Sequence, residues 1–170
     1  MAKIKIKKGV TLKKYIMLIS LSITTLIGQD LLKEAMQNSS SFISGGIVHQ
    51  NIDKYENTQA LHLSYSYMNV DRWGFDTGYS QSFFKGKNQD TGEEKNFSSA
   101  YLFATYLIPL SSSVGFKSKA GYARNKNADD GLGYGVELIF QVNQNSGFGL
   151  GFQKMDKHIN YFMINTIYKL

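Results

Sequence analysis

The 170-residue chain has no Cys, one Pro, 16 Gly, 14% aromatic residues and a formal net charge of +6. This length suits one domain. The missing thiols exclude disulfide staples and Cys-based metal or nucleophile chemistry, and abundant Tyr, Phe and Gly with almost no Pro favour many short strands. The basic excess sits wholly in Lys3, Lys5, Lys7, Lys8, Lys13 and Lys14, so the chain beyond residue 28 is formally neutral. That removes the basic face a phosphate backbone needs, and no nucleic-acid partner is expected.

After Lys14 an uncharged apolar run extends from Tyr15 to Gly28. A basic segment followed by such a run has the order of a secretory signal peptide, and it is shorter than the roughly 20 residues a membrane-spanning helix needs. Residues 1–28 are therefore expected to be a cleavable signal peptide, with an uncleaved anchor as the alternative. Gly28 is small enough for a cleavage site, while Leu26, two residues earlier, is large. Residues 29–41 form a short polar lead-in with a Ser run, to which no function is assigned.

From Phe42 the sequence breaks into period-two runs separated by polar, Gly-rich or Asn-rich punctuation. Strands are expected over 42–50, 59–68, 72–84, 97–108, 114–124, 132–142, 147–155 and 159–170. Most approach the roughly 9 to 11 residues of a tilted membrane-spanning strand. Alternation assigns their faces. The second strand sets Leu61, Leu63, Tyr65 and Tyr67 against His62, Ser64 and Ser66. The third sets Trp73, Phe75, Thr77 and Tyr79 against Gly74, Asp76, Gly78 and Ser80. The fifth opposes Phe116, Ala120 and Tyr122 to Lys117, Lys119 and Gly121, and the sixth opposes Tyr134, Val136 and Leu138 to Gly133, Gly135 and Glu137. The seventh alternates Phe148, Leu150 and Phe152 with Gly147, Gly149 and Gly151.

One face is thus large and apolar and the other small or charged, which fits a narrow barrel turned inside out, with aromatics toward lipid and Gly, Ser and charges in the lumen. The first and fourth strands remain unassigned, since Tyr101, Phe103 and Leu107 compete with Leu102, Ala104, Tyr106 and Ile108. Long connections at 51–58, 85–96 and 125–131 alternate with short ones at 69–71, 109–113 and 143–146, as such barrels require; the connection at 156–158 is short for its place. Pro109 is expected in a turn.

The last strand carries Phe162, Ile164, Thr166, Tyr168 and Leu170 on one face and Tyr161, Met163, Asn165, Ile167 and Lys169 on the other. A mainly apolar strand must be covered, and pairing with the first strand would close the barrel. The fold class expected is all-β: an eight-stranded antiparallel up-and-down transmembrane β-barrel over 42–170, preceded by a signal peptide.

With its leader, eight strands, outward aromatics and closing Phe162, Ile164, Thr166, Tyr168 and Leu170, the chain resembles the small eight-stranded outer-membrane barrels of Gram-negative bacteria, the group that includes the OmpA transmembrane domain and OmpX. The resemblance is of pattern rather than residue identity. It implies location in the bacterial outer membrane, contact with its lipid, and a structural, surface-adhesion or limited porin-like role. It also implies recognition of the closing strand by the barrel-assembly machinery, although this chain ends in Leu170 where that family usually ends in Phe. A monomer is expected, with an extracellular ligand reached through the surface loops.

Four inward charges, Asp76, Lys117, Lys119 and Glu137, form a candidate lumen cluster. Mutual pairing that plugs the barrel is the plain expectation, and a gate or small ion-selective pore the functional alternative. His62 and Ser64 form a His-x-Ser pair similar to that of an outer-membrane lipid A deacylase family, so a lipid A esterase is the enzymatic alternative, although no carboxylate orienter is identifiable. An exported soluble barrel of lipocalin type is the third reading. No cofactor is called for. His49 and His158 lack ligand spacing, and Asp129, Asp130 and Gly131 read as a turn. The charge-balanced loop 85–96 is the best candidate for surface recognition.

Overall fold

The computed structural model describes residues 38–170, so the expected signal peptide and most of the lead-in lie outside the described residues. Eight long strands close into one antiparallel barrel: β1 (Ser40–Ile52), β2 (Thr58–Met68), β3 (Trp73–Ser82), β6 (Ser98–Pro109), β7 (Val114–Lys126), β8 (Gly131–Gln141), β9 (Ser146–Lys154) and β10 (Ile159–Lys169). The remaining strands, β4 (Gly86–Lys87) and β5 (Glu94–Lys95), make a small hairpin within the connection from β3 to β6, which had been expected as plain loop.

Each barrel strand pairs with its neighbours in sequence, the hairpin aside, and β10 closes onto β1 from Phe42↔Lys169 to Ile52↔Ile159. β1 begins at Ser40, two residues into the sequence assigned to the lead-in, because Ser40 and Ser41 continue the ladder opposite Met68 and Tyr67. Pro109 ends β6 opposite Gly115 rather than lying in the turn. As the last residue of its strand it interrupts no further ladder bond.

The three short turns share one device. Asn69 Oδ1 accepts from the amides of Asp71 and Trp73, both at 3.0 Å. Ser111 Oγ accepts from those of Ser113 and Val114 at 3.2 and 3.1 Å, and Asn143 Oδ1 from those of Asn145 and Ser146 at 3.0 and 2.9 Å. A short polar side chain folding back onto the next amides ends one strand and aims the next. The Asn and Ser punctuation in the sequence is therefore the physical origin of the hairpins at this end.

Facing follows the alternation. The outer surface exposes Leu63, Leu102, Leu132 and Ile164, among many other apolar side chains, at 54%, 59%, 81% and 65%. His62, Asp76, Lys119, Glu137 and Asn165 are buried inside. On β1, Phe42, Val48 and Gln50 point inward and Ile43, Ile47 and His49 outward. On β6, Tyr101, Phe103, Thr105 and Leu107 point inward, leaving Leu102, Ala104 and Ile108 outside.

This corrects the expectation of a lumen filled by small and charged groups alone. Inward aromatics occupy space left by glycines on facing strands. A Cβ on Gly78 would stand 2.7 Å from Tyr101 Cζ, and one on Gly133 would stand 2.9 Å from Phe103 Cζ.

Candidate functional site

The interior is built in layers. At the end bearing the short turns, Phe42, Met68, Leu107, Ile139 and Ile167 form a buried apolar cluster. Next to it lie the four charges. Alternation on β7 puts Lys117 and Lys119 on the same inner face, the β7–β8 register sets Lys117 opposite Glu137, and Asp76 reaches in from β3. Lys117 Nζ is 2.9 Å from Asp76 Oδ2 and 3.1 Å from Glu137 Oε2. Lys119 Nζ is 3.1 and 2.9 Å from the same two oxygens. Each ammonium therefore bridges both carboxylates, the formal charges cancel, and the desolvation cost of burying four ions is offset by four close contacts.

A hydrogen-bonded chain continues from this quartet. Asn165 Nδ2 donates to Glu137 Oε1 at 3.3 Å. Because a carboxylate only accepts, the amide orientation is set, and Asn165 Oδ1 faces His62 Nδ1 at 3.2 Å. His62 Nδ1 must then carry the proton, leaving Nε2 to accept from Tyr101 Oη at 2.8 Å. Ser64 bonds to Ser44 instead of His62. The His-x-Ser pair is inside the barrel, yet the Tyr101 hydroxyl occupies His62 Nε2 and no direct contact between the Ser64 hydroxyl and the imidazole forms.

Tyr161 centres the next layer. Its hydroxyl accepts from Gln50 Nε2 at 2.8 Å and lies 2.9 Å from Ser80 Oγ and 2.7 Å from Ser99 Oγ. Thr58 donates to Gln50 Oε1 at 2.7 Å. Beyond it, Val48, Ile52, Phe97, Met155 and Ile159 pack into the apolar cluster toward the long-loop end. The sequence pattern did not single out Tyr101, Phe103 or Tyr161. For Tyr101 and Phe103 the signal was indirect: inward glycines at 78, 121 and 133 on nearby strands leave gaps that large side chains from β6 fill.

The long connections are mutually braced. Asp53 N donates to His158 O at 3.0 Å, and His158 Nδ1 lies 2.9 Å from Asp53 Oδ2. Glu56 N donates to Lys87 O and Gln89 N to Lys54 O, both at 2.9 Å. Asn127 Nδ2 donates to Asn96 O at 2.7 Å. Every long connection thus bonds to another, and those at 127–130 and 155–158 meet in addition through the Lys157–Asp129 ion pair at 3.3 Å. Asp130 Oδ1 accepts from Asn125 N at 2.7 Å, as an acidic turn residue does. His49 lies exposed on the outer face of β1. Among the described residues, no group of three or more His, Asp or Glu is placed to hold a metal ion.

On β10, Phe162, Ile164, Thr166 and Tyr168 face outward, and Tyr161, Met163, Asn165 and Ile167 face inward. Leu170 N still bonds to Ser41 O at 2.9 Å, so the seam is held to the last residue.

Solved structures share this architecture. Ail, the attachment invasion locus protein of Yersinia pestis, in complex with the heparin analogue sucrose octasulfate, aligns over 78% of this chain and 99% of its own, with TM-score 0.58 and 17% identity. OprG of Pseudomonas aeruginosa covers 78% and 96%, with TM-score 0.57 and 13% identity. The fold is that of the small eight-stranded outer-membrane barrels. Neisserial surface protein A, another barrel of this kind, covers 78% of the chain and 99% of its own at TM-score 0.57 and 14% identity. No protein-family model and no curated protein sequence matches the chain. Small outer-membrane barrels at these identities share the fold, and sites must be argued from this chain's own residues.

Proposed function

We propose that this chain is an integral outer-membrane barrel that displays a rigid set of loops for recognition at the cell surface, rather than an enzyme or an open pore. The carrying observation is the contrast between a lumen filled layer by layer and a loop end whose connections brace one another. Between the turn-end cluster and the charge quartet there is a cavity of about 40 Å³, comparable with the volume of one water molecule. Solute passage would require the ion quartet, the Tyr161 layer and the apolar cluster above it all to move.

Membrane residence is supported by the apolar outer wall around an interior that buries the ion quartet and the Tyr161 hydrogen-bond layer between two apolar clusters, whereas a soluble lipocalin-type barrel keeps its outer wall polar. Aromatic side chains at the turn end, such as Trp73 against Tyr106 with ring centroids 4.9 Å apart, suit the boundary between hydrocarbon and water. In this reading the basic leader directs export and is cleaved. The barrel-assembly machinery reads the outward face of β10, lipid covers the wall, and the protein works as a monomer with its long loops outside. That Ail, the attachment invasion locus protein of Yersinia pestis, has this fold supports the reading.

The test is fractionation of expressing cells followed by planar-bilayer recording from the purified protein. Outer-membrane recovery, with heat-modifiable gel migration and no channel steps, is expected. Recovery in the soluble fraction, or stepwise conductance, would contradict the reading.

A further inference from the structure

The loop end contains a concave, partly open site of about 390 Å³ lined by residues 52–55, Phe97, residues 127–129 and His158. This is within the range of small-ligand pockets, roughly 300–1,000 Å³. Its floor is apolar: Ile52 and Phe97 are 4% and 1% exposed, and Tyr55 meets Phe97 edge-on at 4.9 Å. Its rim is polar, formed by Asp53, Asn127 and His158.

The site carries charges of both signs: Asp53 stands beside Lys54 in the lining, with its Oδ2 2.9 Å from His158 Nδ1, and Asp129 faces Lys157 at 3.3 Å. A ligand carrying a net charge would meet its own sign as well as the opposite one here, whereas a neutral ligand need not. Lys54 and Asn127, both lining the site, hold left-handed backbone with φ of 66° and 65°. Such geometry persists only where neighbouring contacts hold it. Here Lys54 O accepts from Gln89 N and the Asn127 side chain is tied to Asn96, so the site is preformed.

The geometry points to this pocket as a binding site for a neutral sugar ring. A pyranose offers an apolar C–H face to Tyr55 and the floor, and equatorial hydroxyls that both donate and accept at the rim. The pocket supplies matching groups: the Asp53 carboxylate and Asn127 carboxamide oxygens to accept, and the second Asn127 Nδ2–H and the Lys54 ammonium to donate. This inference rests on the surface-recognition reading and names its ligand class. It moves the recognition site from the charged loop 85–96 to the neighbouring pocket, whose Lys54 that loop braces through Gln89 N.

The test is saturation-transfer NMR on the full barrel in lipid nanodiscs, with glucose, galactose, mannose and N-acetylglucosamine as separate probes and a sulfated monosaccharide in parallel. Saturation of ring C–H protons is expected for at least one neutral sugar. The signal should fall at least tenfold in Tyr55→Ala and in Asn127→Gly, the latter keeping the left-handed backbone accessible. Heat-modifiable migration of both variants should match the parent, which separates lost binding from lost folding. If either variant fails to fold, Asp53→Asn provides the same comparison on the exposed rim. No transfer from any neutral sugar, transfer unaffected by these substitutions, or transfer from the sulfated sugar alone would overturn the assignment. Those results would leave the surface-recognition reading standing, because conductance, not sugar binding, is what contradicts it.

Discussion

Lys119 Nζ lies 2.9 Å from Glu137 Oε2, with the two side chains 2% and 3% exposed. A pair withdrawn this far from water is costly to break on one side only, because the remaining charge stays buried. Glu137→Gln is expected to cost about 3–5 kcal/mol of barrel stability. The double variant Lys119→Met/Glu137→Leu should cost less than its two single variants together, since it removes both charges of the contact. Urea titrations of the folded gel band in lipid vesicles measure both. Additive losses would show that the pair is not energetically coupled.

Gly78 faces Tyr101 so closely that an added methyl would stand 2.7 Å from the ring carbon bearing the hydroxyl. Gly78→Ala is therefore expected to destabilise the barrel by about 1–3 kcal/mol through overpacking. Adding Tyr101→Leu should recover part of the loss by opening the space, although it sacrifices the bond to His62. A midpoint for Gly78→Ala equal to the parent's would show that this contact relaxes freely.

His62 is 1% exposed and bonded to Tyr101 and Asn165, with Ser64 turned to Ser44. Overexpression is expected to leave the mass spectrum of lipid A unchanged, and Ser64→Ala should be indistinguishable from the parent. Loss of an acyl chain that disappears in Ser64→Ala would establish an esterase. Tyr101→Phe, in contrast, should lower stability by about 1–3 kcal/mol because His62 Nε2 loses its donor.

The closing seam carries a separate expectation. Deleting residues 167–170 removes the rungs Ser44↔Ile167, Ile43↔Tyr168 and Phe42↔Lys169 and takes Ile167 from the turn-end cluster. An open strand edge and a broken apolar layer follow, so assembly should fail. Leu170→Phe should leave it intact or improve it. Pulse-labelled cells scored for heat-modifiable migration decide the matter, and normal assembly of the truncation would count against closure through β10.

The barrel was legible because its wall is written in period two: outward side chains that are mostly large and apolar alternate with small or charged ones on β2, β3, β7, β8 and β9, which fixes facing and strand count together. β6 was not legible from its own residues. Tyr101 and Phe103 inside are as apolar as Leu102 and Ile108 outside, so only the glycines on neighbouring strands decide which face turns in. The four inward charges could be read from their faces, but their shared oxygens depend on the register of β7 against β8 and on the reach of Asp76 from β3. The loop pocket was illegible for a different reason. Its walls come from four connections distant in sequence, and no single stretch carries its pattern.

The central claim, a closed barrel whose work is done at its loop end, is tested most directly by planar-bilayer recording from the full-length purified protein beside Lys117→Ala/Lys119→Ala. The parent is expected to show no channel steps at any moderate voltage. Unitary conductance in the parent that changes when the two lysines are removed would make the charge quartet a gate and contradict the account.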